Sequence, residues 1–552
     1  MWQERVRNMV AHPLRNEDEC LLQSTHVLAL AMIVADTCLD CGKHAFRLRE
    51  KMNHFSRVIT MERCEMWRQE LPKSTESFDN VYIGRWMERR RKRDVSADLV
   101  YNLLKGQHME WVEELSTFER SKRQSISMAK EPIHVWDLTP SMNLRKVWTP
   151  CAKSNITVAI LDDGIDFSHP DLHDAFSAPI SFDFVDFKKL PTPTDDESNV
   201  HGTQCAGLIS MNGTKCGVGV FAGAKLAGIR VLGDGWLNDA IEGDAIDIYS
   251  ASWGPRDDGK TADAPQMLTS EALARGVTEG RKGKGNIYVW ASGNGGAEGD
   301  NCAWDGYASN RFTLTFGLVD RTGVPAVYSE ACSAILASVS GGDSLIKTTG
   351  QNESCSVISG SSASAAIAAG IIALVLEANP SLTQRDIQQL IVETSRTEEI
   401  HGVSWNQNAV GRKFSNQVGF GLLDADELIR RARTWKSVDE EKSFAVKVGE
   451  MQPTENGLIA NFEVDVLLKL ERITVTTKIT SSDRGSIRIT LTSPSGTTSE
   501  ILTPRVKDRW QGEMEWTMVT VQFWGETSKG TWTIEAVGSV KMDGTQVNFL
   551  GV

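Results

Sequence analysis

The 552-residue chain is 41% hydrophobic and 24% charged, enough to bury a large core and to build several domains. Its formal charge of -13 argues against a nucleic-acid binder and suits a basic partner. The ten cysteines include no zinc-like pair of CxxC pairs, Cys38 and Cys41 standing alone, so they read as disulfides plus free thiols.

In chain order, the apolar run 27–35 fits a signal-peptide core and is too short to span a bilayer, although two dozen mixed residues precede it. Residues 1–41 are read as a signal or N-terminal segment. Residues 42–123 are charged and carry two basic clusters, one over Arg89–Arg93 and one at Arg120-Ser121-Lys122-Arg123. By composition alone such clusters are solvated faces or targeting patches. From 124 to 436, β-branched runs such as Ile156–Leu161 and Ile287–Trp290 alternate with small-residue helical stretches, which predicts an α/β domain with a parallel sheet and helices on both faces. The longest apolar helix, expected over Ala363–Ala378, begins in Gly/Ser and stops before Pro380, so it reads as a buried core helix. Residues 437–552 alternate apolar and polar with turn signals such as Ser493-Pro494-Ser495-Gly496, which predicts an all-β sandwich or jelly roll. No transmembrane anchor is expected. Three glycosylation triplets begin at Asn155, Asn212 and Asn352.

Three segments carry chemistry together. Asp162 and Asp163 follow the apolar residues Ile160 and Leu161, His201-Gly202-Thr203 opens an expected helix, and Ser361-Ser362 opens the apolar helix. Acyl transfer needs a hydroxyl nucleophile, an imidazole that takes and returns its proton, and an acceptor that fixes the imidazole tautomer. Ser362, His201 and Asp162 fit those roles. A serine at a helix N-terminus also meets unpaired amides and the positive dipole end, which favour a developing oxyanion. Ser292-Gly293-Asn294-Gly295-Gly296, after a strand expected to end at Trp290, offers the Asn294 amide as a second donor. Each segment alone is more simply a turn residue, a structural histidine or an N-cap. Their chain order, Asp, His, Asn, Ser, reverses that balance.

From about residue 80 onward the sequence resembles the kexin/furin-like proprotein convertases, a branch of the subtilases. The likeness is carried by ILDDGI from Ile160, HGTQCAG from His201, SASWGPRDDGKTADAP from Ser250, VWASGNGG from Val289, WDGY from Trp304, YSEAC from Tyr328 and RGSIRITLTSPSGT from Arg484. It implies a subtilisin-like catalytic domain at 124–436, a P domain at 437–552 and a small α+β inhibitory prodomain at 42–123. It further implies a calcium-dependent serine endoprotease of the secretory pathway, in its lumen, in vesicles or outside the cell. Such an enzyme cuts precursor proteins after Lys-Arg or Arg-Arg and is inhibited by its own prodomain. By the same resemblance, Asp257 and Asp305 line the pocket for the first basic side chain, Asp163 meets the second, and Glu242 with Asp263 reads the fourth. Ser252, Trp253 and Gly254 pair with the substrate backbone. Asp257, Asp300 and Glu330 bind calcium, and Asp171 with Asn212 match a second calcium site. Cys216–Cys355 and Cys302–Cys332 are the implied disulfides, and Cys205 is left as a free thiol. Self-cleavage is expected between Arg123 and Gln124, with a second cut after Arg93.

The chain departs from the family at Ser361 before the serine, at Ala366 four residues after it, and at Ser198, where an acid helps to read the second basic side chain. Two other functions remain as alternatives: a catalytically inactive convertase-like binding protein, and a broad-specificity subtilase.

Overall fold

In the computed structural model, residues 120–123, 132–138, 141–146, 154–194, 199–232, 245–342 and 344–552 are described, together with three strands further upstream. Arg93, Gln124, Glu242, Ser198, the apolar run 27–35, Cys38 and Cys41 lie outside the described residues. The chain divides into two compact units, Met1–Thr117 and Phe118–Val552. The first contains β1 (Phe55–Met61), β2 (Val81–Trp86) and β3 (Met109–Leu115), an antiparallel sheet in the order β2-β1-β3.

The second unit opens with β4 (Ser121–Lys122) and is built on a seven-stranded sheet. Its strands are β5 (Thr157–Asp162), β6 (Phe182–Asp183), β7 (Lys225–Arg230), β8 (Ile248–Ala251), β10 (Ile287–Ala291), β11 (Thr313–Val319) and β12 (Ile335–Ser340), in the order β12-β11-β10-β8-β5-β7-β6. Every pairing is parallel. All six residues of β5 are buried, as they must be in a strand covered on both faces, which is why its sequence reads as a continuous apolar run. Val158 and Ile160 face one core with helices α1 (His201–Ser210) and α3 (Ser361–Ala378); Ala159 and Leu161 face a second core with Leu273 of α2 (Met267–Gly283). The strand expected to end at Trp290 runs one residue further, to Ala291.

Helix α3 is buried from Ser361 to Leu376, and its small residues let it lie against neighbouring backbone. A Cβ at Gly370 would stand 2.7 Å from that of Val220. The helix is the only described one long and apolar enough to cross a membrane, and 89% of its apolar window is inside the protein.

Residues 442–551 form a sandwich of a four-stranded and a five-stranded sheet, with adjacent strands antiparallel. Along Gly457–Val464 and Gly530–Val537 burial alternates with period two, as the sequence pattern predicts. The sandwich and the α/β domain share one apolar cluster, with Trp304 against Trp516 at 5.4 Å between ring centroids. The two implied disulfides form, and Cys216–Cys355 ties the loop after α1 to the strand preceding α3. Cys205 is buried and free, and burial pushes its thiol well above its ordinary range.

Candidate active site

The carboxyl ends of β5, β8 and β10, neighbours in the sheet, open onto one cleft, the usual place for a site in an α/β fold. Asp162 is the last residue of β5, His201 the first of α1, and Ser362 lies in the first turn of α3. Gly202 allows this meeting: a side chain there would press on Asp162 Cβ and the carbonyl of Gly164. His201 Nδ1 lies 2.9 Å from both carboxylate oxygens of Asp162, and His201 Nε2 lies 2.9 Å from Ser362 Oγ. All three side chains are buried. Burial works against a charged imidazole, but the charge and hydrogen bond of Asp162, helped by Asp163, hold His201 above its ordinary 6.5.

Asn294 follows β10. Its Oδ1 accepts from the Ser361 amide at 2.9 Å, which orients the side chain and leaves Nδ2 buried without a partner among the described residues. A buried, unsatisfied donor beside Ser362 is costly unless an oxygen arrives there.

The cleft holds the chain's own residues 120–123. β4 pairs antiparallel with β9 (Trp253–Gly254), Ser121 opposite Gly254 and Lys122 opposite Trp253. The Arg123 amide donates to Ser252 O at 3.0 Å, and the Arg123 carbonyl accepts from the Ser362 amide at 3.1 Å. The Arg123 guanidinium is buried against Asp305, with Asp257 at 3.9 Å, and donates to the carbonyl of Ala291. Burial disfavours its charge, yet Asp305, Asp257 and Glu330 hold it above its ordinary range. Gly254 leaves room for it: a Cβ there would collide with the guanidinium.

Lys122 Nζ lies 2.7 Å from Asp163 Oδ2 and donates to Asn199 Oδ1 at 3.0 Å. Burial and neighbouring Asp162 push Asp163 above the usual carboxylate range, and Lys122 answers that charge. Arg120 pairs with Asp263 and donates to the Tyr307 hydroxyl at 3.0 Å. Asn199 and Tyr307 are contacts that the sequence reading missed. Tyr307 belongs to the WDGY motif and stacks on Trp290, so it reads as a core aromatic; Asn199 is flagged only by its place two residues before His201.

Asp257, Asp300 and Glu330 surround Gly295, where an added Cβ would touch atoms of all three. Burial, then the charges of Asp300 and Asp257, push Glu330 well above the usual carboxylate range, while Arg123 pulls it back. Among the described residues, the triplets of possible ligand atoms within 4.8 Å of one another are Asp162–His201–Cys205 and His169–Asp171–Cys216. The first is engaged in the hydrogen bonds above, and the sulfur of the second is in a disulfide. Asp171 and Asn212 lie side by side, the Asn212 amide donating to the Asp171 carbonyl at 3.1 Å. Asp171 spends its oxygens on the amides of Lys215 and Cys216, and Asn212 Oδ1 accepts from Thr214. The Asp171 carboxylate closes the loop that follows α1. Asp183 pairs with buried Arg230 at 2.9 Å.

A buried Asp–His–Ser chain at the carboxyl edge of a parallel sheet, followed by a β-sandwich, defines a subtilisin-like serine endoprotease. Residues 153–421 match the subtilase family and residues 470–549 the proprotein convertase P-domain. The chain is 50% identical to endoprotease aex-5 of Caenorhabditis elegans over 83% of its own length and 86% of that protein. It is 41% identical to neuroendocrine convertase 2 of Bos taurus, covering 74% of this chain and 70% of that one. It is 40% identical to furin-like protease 1, isoform 1-CRR, of Drosophila melanogaster, covering 74% of this chain and 40% of that one. A solved serine protease of Aeromonas sobria shares the fold, with a TM-score of 0.63 at 21% identity over 72% of this chain and 88% of the other. The chain belongs to the subtilase family, in its proprotein convertase branch.

Proposed function

We propose that this enzyme matures itself by cutting after Arg123 and then cleaves precursor proteins after Lys-Arg or Arg-Arg in the lumen of the secretory pathway or beyond it. The observation that carries this reading is the seating of residues 120–123 across the cleft, with the Arg123 carbonyl on the Ser362 amide. Ser362 Oγ attacks the carbonyl carbon of the first basic residue while His201 Nε2 takes its proton, and Asp162 holds the imidazole by its Nδ1–H. The Ser362 amide and Asn294 Nδ2 receive the oxyanion; losing one such donor typically costs about 10²–10³ in turnover. The imidazolium protonates the leaving amine, and water hydrolyses the acyl-ester with His201 again as base.

Specificity follows from buried charge. Each charge-assisted bond to a guanidinium contributes about 1.5–3 kcal/mol. A neutral side chain would leave Asp257 and Asp305 facing an empty pocket, and sites of that kind reject the wrong partner by about 10⁴ or more. Broad cleavage does not suit such a pocket. Asp163, Asn199, Asp263 and Tyr307 extend the same logic to Lys122 and Arg120, with Glu242 a further candidate for the fourth position.

Asp257, Asp300 and Glu330 offer hard oxygen donors suited to calcium, which would neutralise the acids behind the first pocket. Chelation of the purified enzyme is expected to lower hydrolysis of an Arg-Ser-Lys-Arg amide at least tenfold, with recovery on adding calcium; indifference to chelation excludes the ion. Asn155, Asn212 and Asn352 are exposed, as glycan acceptors must be. The disulfides suit an oxidising compartment.

The test is Arg123→Ala. It is expected to leave an uncut, inactive chain, read by N-terminal sequencing and by hydrolysis of the same amide. A normal mature terminus and full activity in that variant would refute self-cleavage at Arg123. Tight binding of the amide by the unmutated, matured enzyme without turnover would favour the inactive binding protein instead.

A further inference from the structure

The buried arginines of the P domain lie directly behind the acids of the cleft. Arg505 of the sandwich has no exposed side-chain surface, and none of the contacts above explains it. Its Nη1 donates to Thr261 O at 2.7 Å and pairs with Asp300 Oδ1 at 3.0 Å, and its Nη2 donates to Lys260 O at 3.1 Å. The fork therefore grips two segments of the α/β domain at once. One is the loop between Asp257 and Asp263. The other begins at Asp300, and on it Trp304 lies under the guanidinium at 5.1 Å, immediately before Asp305. Asp508 holds the fork from behind, pairing with both Arg505 and Arg484, and Arg484 also donates to Lys260 O at 2.5 Å.

The gripped segments are joined at the cleft. Asp263 and Asp305 form a parallel β-bridge, and the Gly306 amide donates to Asp263 O at 2.8 Å. Asp305 meets Arg123 and Asp263 meets Arg120, so this bridge sets the distance between the first and fourth acidic subsites. We infer that Arg505 is a positioning residue through which the P domain fixes the spacing of those two subsites, and so the preference for arginine at the fourth position. A lysine in its place keeps the charge but reaches one of the two carbonyls, and lets the loop shift against the Trp304 segment. Displacements near 1 Å are enough to degrade a site built on charged contacts.

The inference rests on the proposed subsites, and one pair of substrates separates the two. The full chain is assayed on fluorogenic Arg-Ser-Lys-Arg and Ala-Ser-Lys-Arg amides, with rates taken per active site titrated by a fluorophosphonate. If the unmutated enzyme does not prefer the first substrate, the fourth subsite itself is wrong. Given that preference, Arg505→Lys is expected to reduce the ratio of kcat/KM values at least fivefold, chiefly by raising KM for the Arg substrate. A merely structural role would lower the number of titrated sites and leave the ratio unchanged, which overturns the inference. Should Arg505→Lys yield no titratable enzyme, Asp508→Asn, isosteric and remote from substrate, is read in the same way. It is expected to lower the ratio at least twofold, and an unchanged ratio there counts equally against the proposal.

Discussion

Ser362→Ala is expected to lower hydrolysis of an Arg-Ser-Lys-Arg amide by about 10⁶-fold, down to what binding and oxyanion contacts alone can supply. No neighbouring hydroxyl can replace the nucleophile: Ser361 Oγ accepts from the Gly293 amide, and Ser252 Oγ donates to the Ser362 carbonyl. The hydroxyl that meets His201 Nε2 is that of Ser362. On the proposed self-cleavage after Arg123, the same variant should stop maturation, because the Arg123 carbonyl is seated on the Ser362 amide and lacks only its attacker. Sequencing of the purified variant is expected to find Arg123 still joined to Gln124. Hydrolysis above about 10⁻³ of the unmutated rate would mean that another group performs the attack, since that excess exceeds what the remaining contacts supply.

The arrangement behind this result was legible in the sequence to the extent that it depended on ends of elements. Asp162, His201 and Ser362 each sit where a strand or helix begins or ends, and glycines mark the close approaches. Periodicity also foretold the sandwich, and the β-branched runs foretold the buried sheet. Contacts made across elements were harder to read. Tyr307 packs against Trp253 and Trp290 like any core aromatic, and only the register of the Asp263–Asp305 bridge brings its hydroxyl to Arg120. Arg505 is some two hundred residues from the segments it holds, and an arginine in a turn of a β-sandwich reads as a surface charge. The partners of Asp171 were equally hidden: two backbone amides donate to its carboxylate, and no pattern of side chains announces where a backbone N–H will point.

Asp162→Asn is expected to lower turnover by about 10⁴, because an amide can donate to Nδ1 and so stabilise the wrong imidazole tautomer. It should also move the pH profile, and the sign follows from the forces on His201. Burial lowers its pKa; Asp162 and then Asp163 raise it to a net position above 6.5, while Lys122 pulls it back. Only the neutral imidazole accepts the serine proton, so activity rises as pH passes upward through this pKa. The acid limb of kcat/KM in the unmutated enzyme should therefore fall above 6.5, and in Asp162→Asn it should move to lower pH, where burial dominates. The substrate should act on the same group. Because kcat reports the bound complex, and the lysine at the second position lies near His201, the acid limb of kcat should lie lower for an Arg-Ser-Lys-Arg amide than for Arg-Ser-Ala-Arg. Coincident acid limbs in the variant and the unmutated enzyme would show that Asp162 does not set the proton affinity of His201, and the relay would lose its acceptor.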